Sequence, residues 1–339
     1  MLDKNRRGKA MPMRPGDFRR VSRTGMRMIA VGLLALALFA GAAAYYRRVA
    51  TPVTLIVPYA AGGSMDLSAR VLARQLSEAL RRQVVLEFIG GAGGILAVQK
   101  VLHAKPDGNT YLYGSGNAVL LSPLQIPGAG FTSHDLVPVA PVSSSHLTLM
   151  ARADLHAQTM DELIELVRRE KRPLMIGTPG VSTLHHLLAL SMAAQLGGKA
   201  EAIPYVKTST LLQDLGGGRL DLAILALPAA TGVDAARGKI LGLFSTKRSP
   251  LFPGIPTVNE NASLRFWVVD PWTGIFAQRG TPPREIAHIK RAMKRVLMSP
   301  ELSRVQATLG VVPADPKSID GFDALVAAEA QRFAAMVKH

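Results

Sequence analysis

The sequence predicts an α/β protein built as two lobes, and three observations carry that prediction. Short β-rich runs alternate with segments of helical period, glycine-rich turns join one to the other, and the pattern restarts in the second half of the chain. The first run, "VTLIVPY" (53–59), reads as a strand, and Leu67, Val71, Leu72, Leu76 and Leu80 then mark one face of a helix. "QVVLEF" (83–88) is a second strand and "IGGAGG" a second turn. Ile95, Val98, Val101 and Leu102 mark the next helix, and "TYLYGS" (110–115) is a third strand. Strand, glycine turn and helix in repetition describe a parallel sheet with helices on its faces.

The second lobe follows the same grammar. "PLMIGTPG", "AEAIPYV", "LDLAILALP" and "KILGLFST" read as strands, with "STLHHLLALSMAAQLG" and "STLLQDLGGG" as helices among them. The run "SHLTLMARADL" (145–155) is the expected passage between lobes, and the Pro-rich stretch Ser249–Pro271 the return. The expected boundaries are thus residues 49–150 with 270–339 for the first lobe and 151–269 for the second. Two helical segments close the chain, near 283–298 and 319–337. In "REIAHIKRAMKRVL", Ile286, Ile289, Met293 and Val296 share one face, which predicts a packed helix with its charges in solvent.

At 339 residues and 48% hydrophobic content the chain can bury a large core. Its formal charge of +16 is unevenly placed. Residues 1–48 hold eleven Lys or Arg against two Asp, a net +9, leaving +7 for the other 291. That remainder is scattered, without the Arg and aromatic interleaving of single-strand binders, so no nucleic-acid partner is expected. The basic segment precedes "MIAVGLLALALFAGAAA" (28–44), 17 residues without a charge that end in Ala42-Ala43-Ala44. A basic region, an apolar run and an A-x-A site describe a signal peptide. An uncleaved membrane anchor is the alternative, since the run approaches the ~20 residues that span a bilayer. Arg47 and Arg48 just beyond it lean towards the anchor, whereas Ser22 and Arg23 after Arg19-Arg20 do not suit a twin-arginine signal. On either reading residues beyond about 45 lie outside the cytoplasm, in the periplasm, free or tethered by residues 28–44. There is no cysteine, which excludes disulfides, thiol chemistry and a lipid-carrying Cys.

Catalytic and cofactor motifs are missing. "GGSMD" has Asp66 where a nucleophile elbow needs its last glycine, and no G-x-x-x-x-G-K-[ST] occurs. "GAGGIL" puts Leu96 at the third glycine of a dinucleotide fingerprint. His185 and His186 are neighbours about 100° apart on a helix, a poor metal pair. No catalytic residue, metal or cofactor is therefore assigned. Two glycine turns remain, each feeding a helix N-terminus, where free N–H groups and the helix dipole favour an anion. Gly62, Gly63 and Ser64 present one set of donors and Gly90, Gly91, Ala92, Gly93 and Gly94 another. In a parallel sheet both sit at strand carboxyl ends, where ligands of open α/β folds bind. The plain alternative makes Ser64 an N-cap and Asp66 a first-turn acid.

The ordered fragments "IVPYAAGGSMDLSAR", "GGAGG", "KPDGNTYLYGS", "GVSTLHHL", "IPYVKTSTLLQDLGGGRLD", "KRSPLFPGIPTVNE" and "WTGIFAQRGTPPREI" resemble one family. It is that of the substrate-binding receptors of tripartite tricarboxylate transporters, the Bug-type solute receptors. The resemblance implies a type II periplasmic-binding-protein fold, with a ligand cleft between two α/β lobes joined by two crossovers. It implies a non-catalytic, monomeric receptor that closes on a small carboxylate and delivers it to membrane permease subunits. Carried over residue by residue, the first lobe offers Tyr59, Gly62, Gly63, Ser64 and Asp66 with Gly91, Ala92 and Gly93. The second offers Thr178, Thr183 and His186, with Tyr205 near the cleft and His185 the alternative if the register slips. Ser115, closing "TYLYGS", and Met65 complete the candidate set. A sensory receptor feeding a membrane kinase and an exported enzyme are competing readings.

The sequence also departs from the family. Met65 stands where a small polar residue is common, and Phe88, Ile89 and Gly90 replace an Asn-Arg-Pro lead-in. Ile95 replaces an Asn, Asn109 a Tyr, and Val206-Lys207 a Lys-Gly pair. With Met65, Ile89 and Ile95 bordering the cleft, the ligand expected is a monocarboxylate, or a dicarboxylate with an apolar body.

Overall fold

The computed structural model describes residues 51–337 except Ala60, Gly63, Ser64, Ser182 and Asn261, together with Leu33, Leu36 and Phe39. The chain divides into two units, Met1–Ala50 and Thr51–His339. In the first, only Leu33, Leu36 and Phe39 are described, each helical and exposed. The rest of the basic segment and the apolar run 28–44 lie outside the described residues, as does the A-x-A site. Among the described residues no helix is long and apolar enough to cross a membrane.

The second unit begins with β1 (Val53–Val57), α1 (Asp66–Leu80), β2 (Val84–Phe88), α2 (Ile95–His103), β3 (Thr110–Ser115) and β4 (Leu136–Ser144). It continues through β5 (Leu147–Arg152), α3 (Met160–Arg169), β6 (Leu174–Thr178), α4 (Leu184–Gln195), β7 (Ala200–Pro204), α5 (Thr208–Gly216), β8 (Leu222–Ala226) and β9 (Gly238–Leu243). β10 (Trp272–Gln278), α6 (Pro283–Val296), α7 (Pro300–Thr308), β11 (Val312–Pro313) and α8 (Phe322–Val337) complete it. Two sheets result, ordered β11-β4-β10-β3-β1-β2 and β7-β6-β8-β5-β9. In the first, β1 pairs in parallel with β2 and β3, while β10 runs antiparallel between β3 and β4. In the second, β6 is parallel to β7 and β8, and β5 is antiparallel to β8 and β9.

The period-2 rule explains how the first sheet is covered. Val53, Leu55 and Val57 of β1 join Tyr111 and Tyr113 of β3 beneath α1 and α6. Ile56 and Leu112, one residue out of phase, pack on the opposite side with Ile95, Val98 and Val101 of α2. Each such aliphatic side chain withdrawn from water contributes about 1.5–3 kcal/mol. Leu67, expected on the buried face of α1, is exposed. Ser68 and Ala69 are buried instead, because Ser68 Oγ lies 3.1 Å from the Tyr113 hydroxyl of β3. Helix α1 stops at Arg81, which is left-handed (φ 51°) and donates its N–H to the Glu78 and Ser77 carbonyls. Of α6, Ile289, Met293 and Val296 are buried and Ile286 partly so, as the amphipathic pattern requires.

The chain passes between sheets at Ser145 and His146, and all of β5, Leu147 to Met150 included, pairs in the second sheet. It returns at Asp270 and Pro271. The two passages lie side by side: Ser145 N–H donates to the Pro271 carbonyl at 2.7 Å, and His146 Nδ1 meets Asp270 Oδ1 at 2.8 Å.

Candidate functional site

Because β1 and β2 are parallel neighbours, the turns that follow them emerge side by side. Ile89 N–H still reaches the Val57 carbonyl (2.9 Å), which ties the second turn to the end of β1. The second turn is a run of strained backbone that glycine relieves. Gly91, Gly93 and Gly94 have φ of 114°, 63° and 97°, and Ala92 joins them at 46°. Gly94 N–H closes the turn on the Gly91 carbonyl at 2.9 Å, and the Gly93 carbonyl accepts from Ser122 Oγ at 2.8 Å. In the first turn, Asp66 reaches back to accept the Gly62 N–H at 2.7 Å while forming an ion pair with Arg70 at 2.6 Å. The Arg70 and Gly62 hydrogen bonds hold its carboxyl below the usual range. Asp66 thus shapes the turn and occupies one of its donors. Met65 takes the N-cap position without a side-chain cap, and Gly63 and Ser64 lie outside the described residues.

Two neighbouring cavities lie between the sheets, about 560 Å³ and 250 Å³, and both are lined by Tyr59, Ser115, His185, Pro271 and Trp272. Tyr59 and Met65, at the two ends of the first turn, border the larger cavity, and Thr183 the smaller. Tyr59 and Ser115 hydroxyls are 2.7 Å apart, and burial raises the Tyr59 phenol. A second tier of hydroxyls lies deeper. Ser68 and Tyr113 meet at 3.1 Å, Ser143 and Thr273 at 2.9 Å. Leu147, Ala226, Pro228 and Leu309 also line it. The cavity therefore presents both hydroxyl and apolar groups, and among the described residues lining either cavity there is no Lys or Arg.

The second-lobe candidates separate. Thr183 caps α4, its Oγ1 accepting His186 N–H at 3.2 Å and donating to the Gly180 carbonyl at 3.0 Å. Thr183→Ala is expected to lower stability by about 1 kcal/mol, read by chemical denaturation. His186 is not among the residues lining either cavity and pairs its Nδ1 with Oγ1 of buried Thr178 at 2.9 Å. His185 is the histidine that lines the cavities, and burial brings its pKa down to about 4. Tyr205 donates to Asp214 at 2.8 Å and lines neither cavity. Burial, and then that bond, push its phenol up to about 12. Gly62, Asp66, Gly91, Ala92 and Gly93 also line neither. Ile95 is a core residue and Ile89 packs against the same core, so of the three expected apolar departures only Met65 borders the cleft.

Trp272 opens the fragment "WTGIFAQRGTPPREI" but is not among the candidate site residues, and Ser143, Ser144 and Ser145 at the crossovers have no motif to mark them. Two signals were available: the polar run Ser143–His146 interrupts an otherwise apolar stretch, and Trp272 is one of two tryptophans.

Comparison with known proteins places these features. The sequence model of a family described as "Tripartite tricarboxylate transporter family receptor" matches residues 68–339. Protein BugT of Bordetella pertussis is 31% identical over 294 residues, 85% of this chain and 89% of that one. The solved structure of MatC from Rhodopseudomonas palustris, with bound malate, superposes with a TM-score of 0.69 at 26% identity, covering 84% of this chain and 98% of that one. A second R. palustris protein, solved with adipate, gives 0.67 at 26% identity over 85% and 97%.

Proposed function

The chain belongs to the tripartite tricarboxylate transporter family of receptors, and from that premise we propose that it binds a small carboxylate between its lobes and hands it to the membrane subunits of a tripartite transporter. The fold is that of the two-lobed periplasmic binding proteins. The observation that carries the reading is the pair of turns at the adjacent carboxyl ends of β1 and β2, the first of which meets a cavity about 560 Å³ in volume at Tyr59 and Met65. Helix N-termini and left-handed glycines there favour an anion without a cationic side chain. The malate and adipate held by the two R. palustris relatives support a carboxylate.

In this reading the donors of the first turn and the hydroxyls of Tyr59 and Ser115 hold the carboxylate, with the second turn, Gly91 to Gly93, completing the cradle. Thr183 and His185 meet the ligand from the second lobe on closure, His185 taking the place first given to His186. Thr178, His186 and Tyr205 then support that lobe from behind. Both lobes contribute contacts only when shut, so the ligand stabilises the closed form by its differential affinity for it. Met65 and the apolar residues of the lining suit a monocarboxylate, or a dicarboxylate with an apolar body. Residues 1–48 direct the chain out of the cytoplasm.

Mass spectrometry of ligand released from the purified protein, followed by calorimetry with a panel of acids, tests the reading. The expected result is one acid bound per chain, recovered unchanged. Conversion of the bound acid would favour an enzyme, and a panel in which citrate bound tightest and apolar-bodied acids not at all would sink the proposed ligand class.

A further inference from the structure

Trp272 occupies the first position of β10, directly after the return crossover, and lines both interlobe cavities. It is 7% exposed, yet its Nε1–H has no hydrogen-bond partner among the described residues. The ring is fixed in place. Phe322 meets it edge-on at 5.5 Å, and Gly116 lies so close that a Cβ there would come within 3.1 Å of the indole. His185, on the other lobe, lines the same two cavities, and its buried Nδ1 also lacks a partner among the described residues. A buried polar group left unpaired is destabilising, so two in one cleft ask for a common partner.

The chemistry of that partner follows from the surroundings. An indole N–H only donates, and a neutral imidazole offers one donor and one acceptor. The imidazole is neutral at pH 7, because burial disfavours its charged form. Among the described residues lining these cavities, the acidic side chain is that of Asp270. A carboxylate placed here would lose its hydration, accept without being able to donate, and face Asp270 with no Lys or Arg among the described residues lining these two cavities. A hydroxyl or primary amide both accepts and donates.

We propose that Trp272 and His185 form a second recognition point in the cleft, which takes an uncharged hydrogen-bonding group at the far end of the ligand and rejects a second carboxylate. This rests on the carboxylate-receptor reading and narrows it to acids with one carboxylate and a neutral polar terminus.

Four six-carbon probes separate the two ideas by calorimetry: hexanoate, 6-hydroxyhexanoate, adipate and 1,6-hexanediol. The hydroxy acid is expected to bind about tenfold more tightly than hexanoate or adipate. Trp272→Phe should erase that advantage while leaving hexanoate within about threefold of its wild-type affinity. The indole ¹⁵N–¹H resonance of Trp272, assigned against Trp267→Phe, should move with the hydroxy acid and not with hexanoate. Adipate binding as tightly as the hydroxy acid would overturn the proposal, as would a Trp272→Phe protein that weakened all acids equally or none. Hexanediol binding as well as the hydroxy acid would overturn the carboxylate reading alone. Failure of every acid to bind would overturn both.

Discussion

Asp221→Ala is expected to lower the unfolding free energy by about 3 kcal/mol, measured by urea denaturation at pH 7. Asp221 stands just before β8 and is 1% exposed. Its two oxygens accept from Arg172 in a fork, 2.7 Å on each side, and Oδ2 also accepts Met175 N–H at 2.9 Å. Arg152, at the end of β5, reaches Oδ1 at 3.3 Å. One carboxylate thus ties together the starts of β6 and β8 and the end of β5, three neighbours in the second sheet. Alanine leaves the Met175 N–H without its acceptor and strips two arginines of their shared anion. The cost stays at the lower end of the range for buried pairs because Arg172 is half exposed and Arg152 keeps Asp154 as a second partner.

Burial alone would raise the Asp221 carboxyl. The Arg172 and Met175 hydrogen bonds, with the charge of Arg172, outweigh it and hold the group below the usual range. Its stabilising contribution is therefore fully present above the unfolded value of about 3.9 and is lost as pH falls through the depressed folded value. Asp221→Asn, which keeps an acceptor for Met175 N–H but no charge, should cost about half as much as alanine at pH 7. Its deficit against the wild type should be constant above about pH 5 and shrink in acid below about pH 4. A deficit that grew in acid would contradict the assignment.

The sequence is most legible where one period governs a segment. β1, β2, β3, α1 and α2 follow from β-rich runs and helical spacing: β1 and β3 are covered on both faces and so read as nearly continuous β-rich runs, while α1 and α2 each bury one face. β4 is harder: "LVPVAPVSS" contains Pro138 and Pro141, which normally argue against an interior strand. The structure accommodates them because β11 pairs with β4 only at Ser143 and Ser144. Upstream of these, the flank of β4 away from β10 carries no ladder, and irregular register on the β10 side absorbs the rest. At the site, the two turns are visible as glycine, but the occupation of Gly62 N–H by Asp66 is not, since it depends on a side chain folding back four residues. The choice between His185 and His186 turns on about 100° of helix rotation, which spacing alone does not set. Trp272 reaches the cleft only because the return crossover delivers β10 between β3 and β4, a long-range fact absent from local pattern.

Gly94→Ala is expected to cost about 3–5 kcal/mol, the sum of backbone strain and overpacking, and to weaken carboxylate binding at least about tenfold. At φ 97° an alanine is strained wherever it stands. Here its Cβ would also lie 2.6 Å from the Ala118 Cβ and 3.1 Å from the Pro58 Cβ. Neither neighbour is the flexible end of a long side chain, so the backbone must give. Pro58 follows β1 and opens the first turn, while Ala118 belongs to the buried segment after β3. Relief of the clash therefore moves the second turn away from the first, the one displacement that a cradle shared by both turns does not tolerate. Gly128→Ala separates the two contributions: its φ is 80°, but a Cβ there meets nothing within 4 Å. It should lose only about 1 kcal/mol of strain and bind normally. Equal losses for the two variants in denaturation would mean that strain alone explains Gly94. A stability loss at Gly94 with unchanged affinity would show that the second turn braces the fold without touching the ligand.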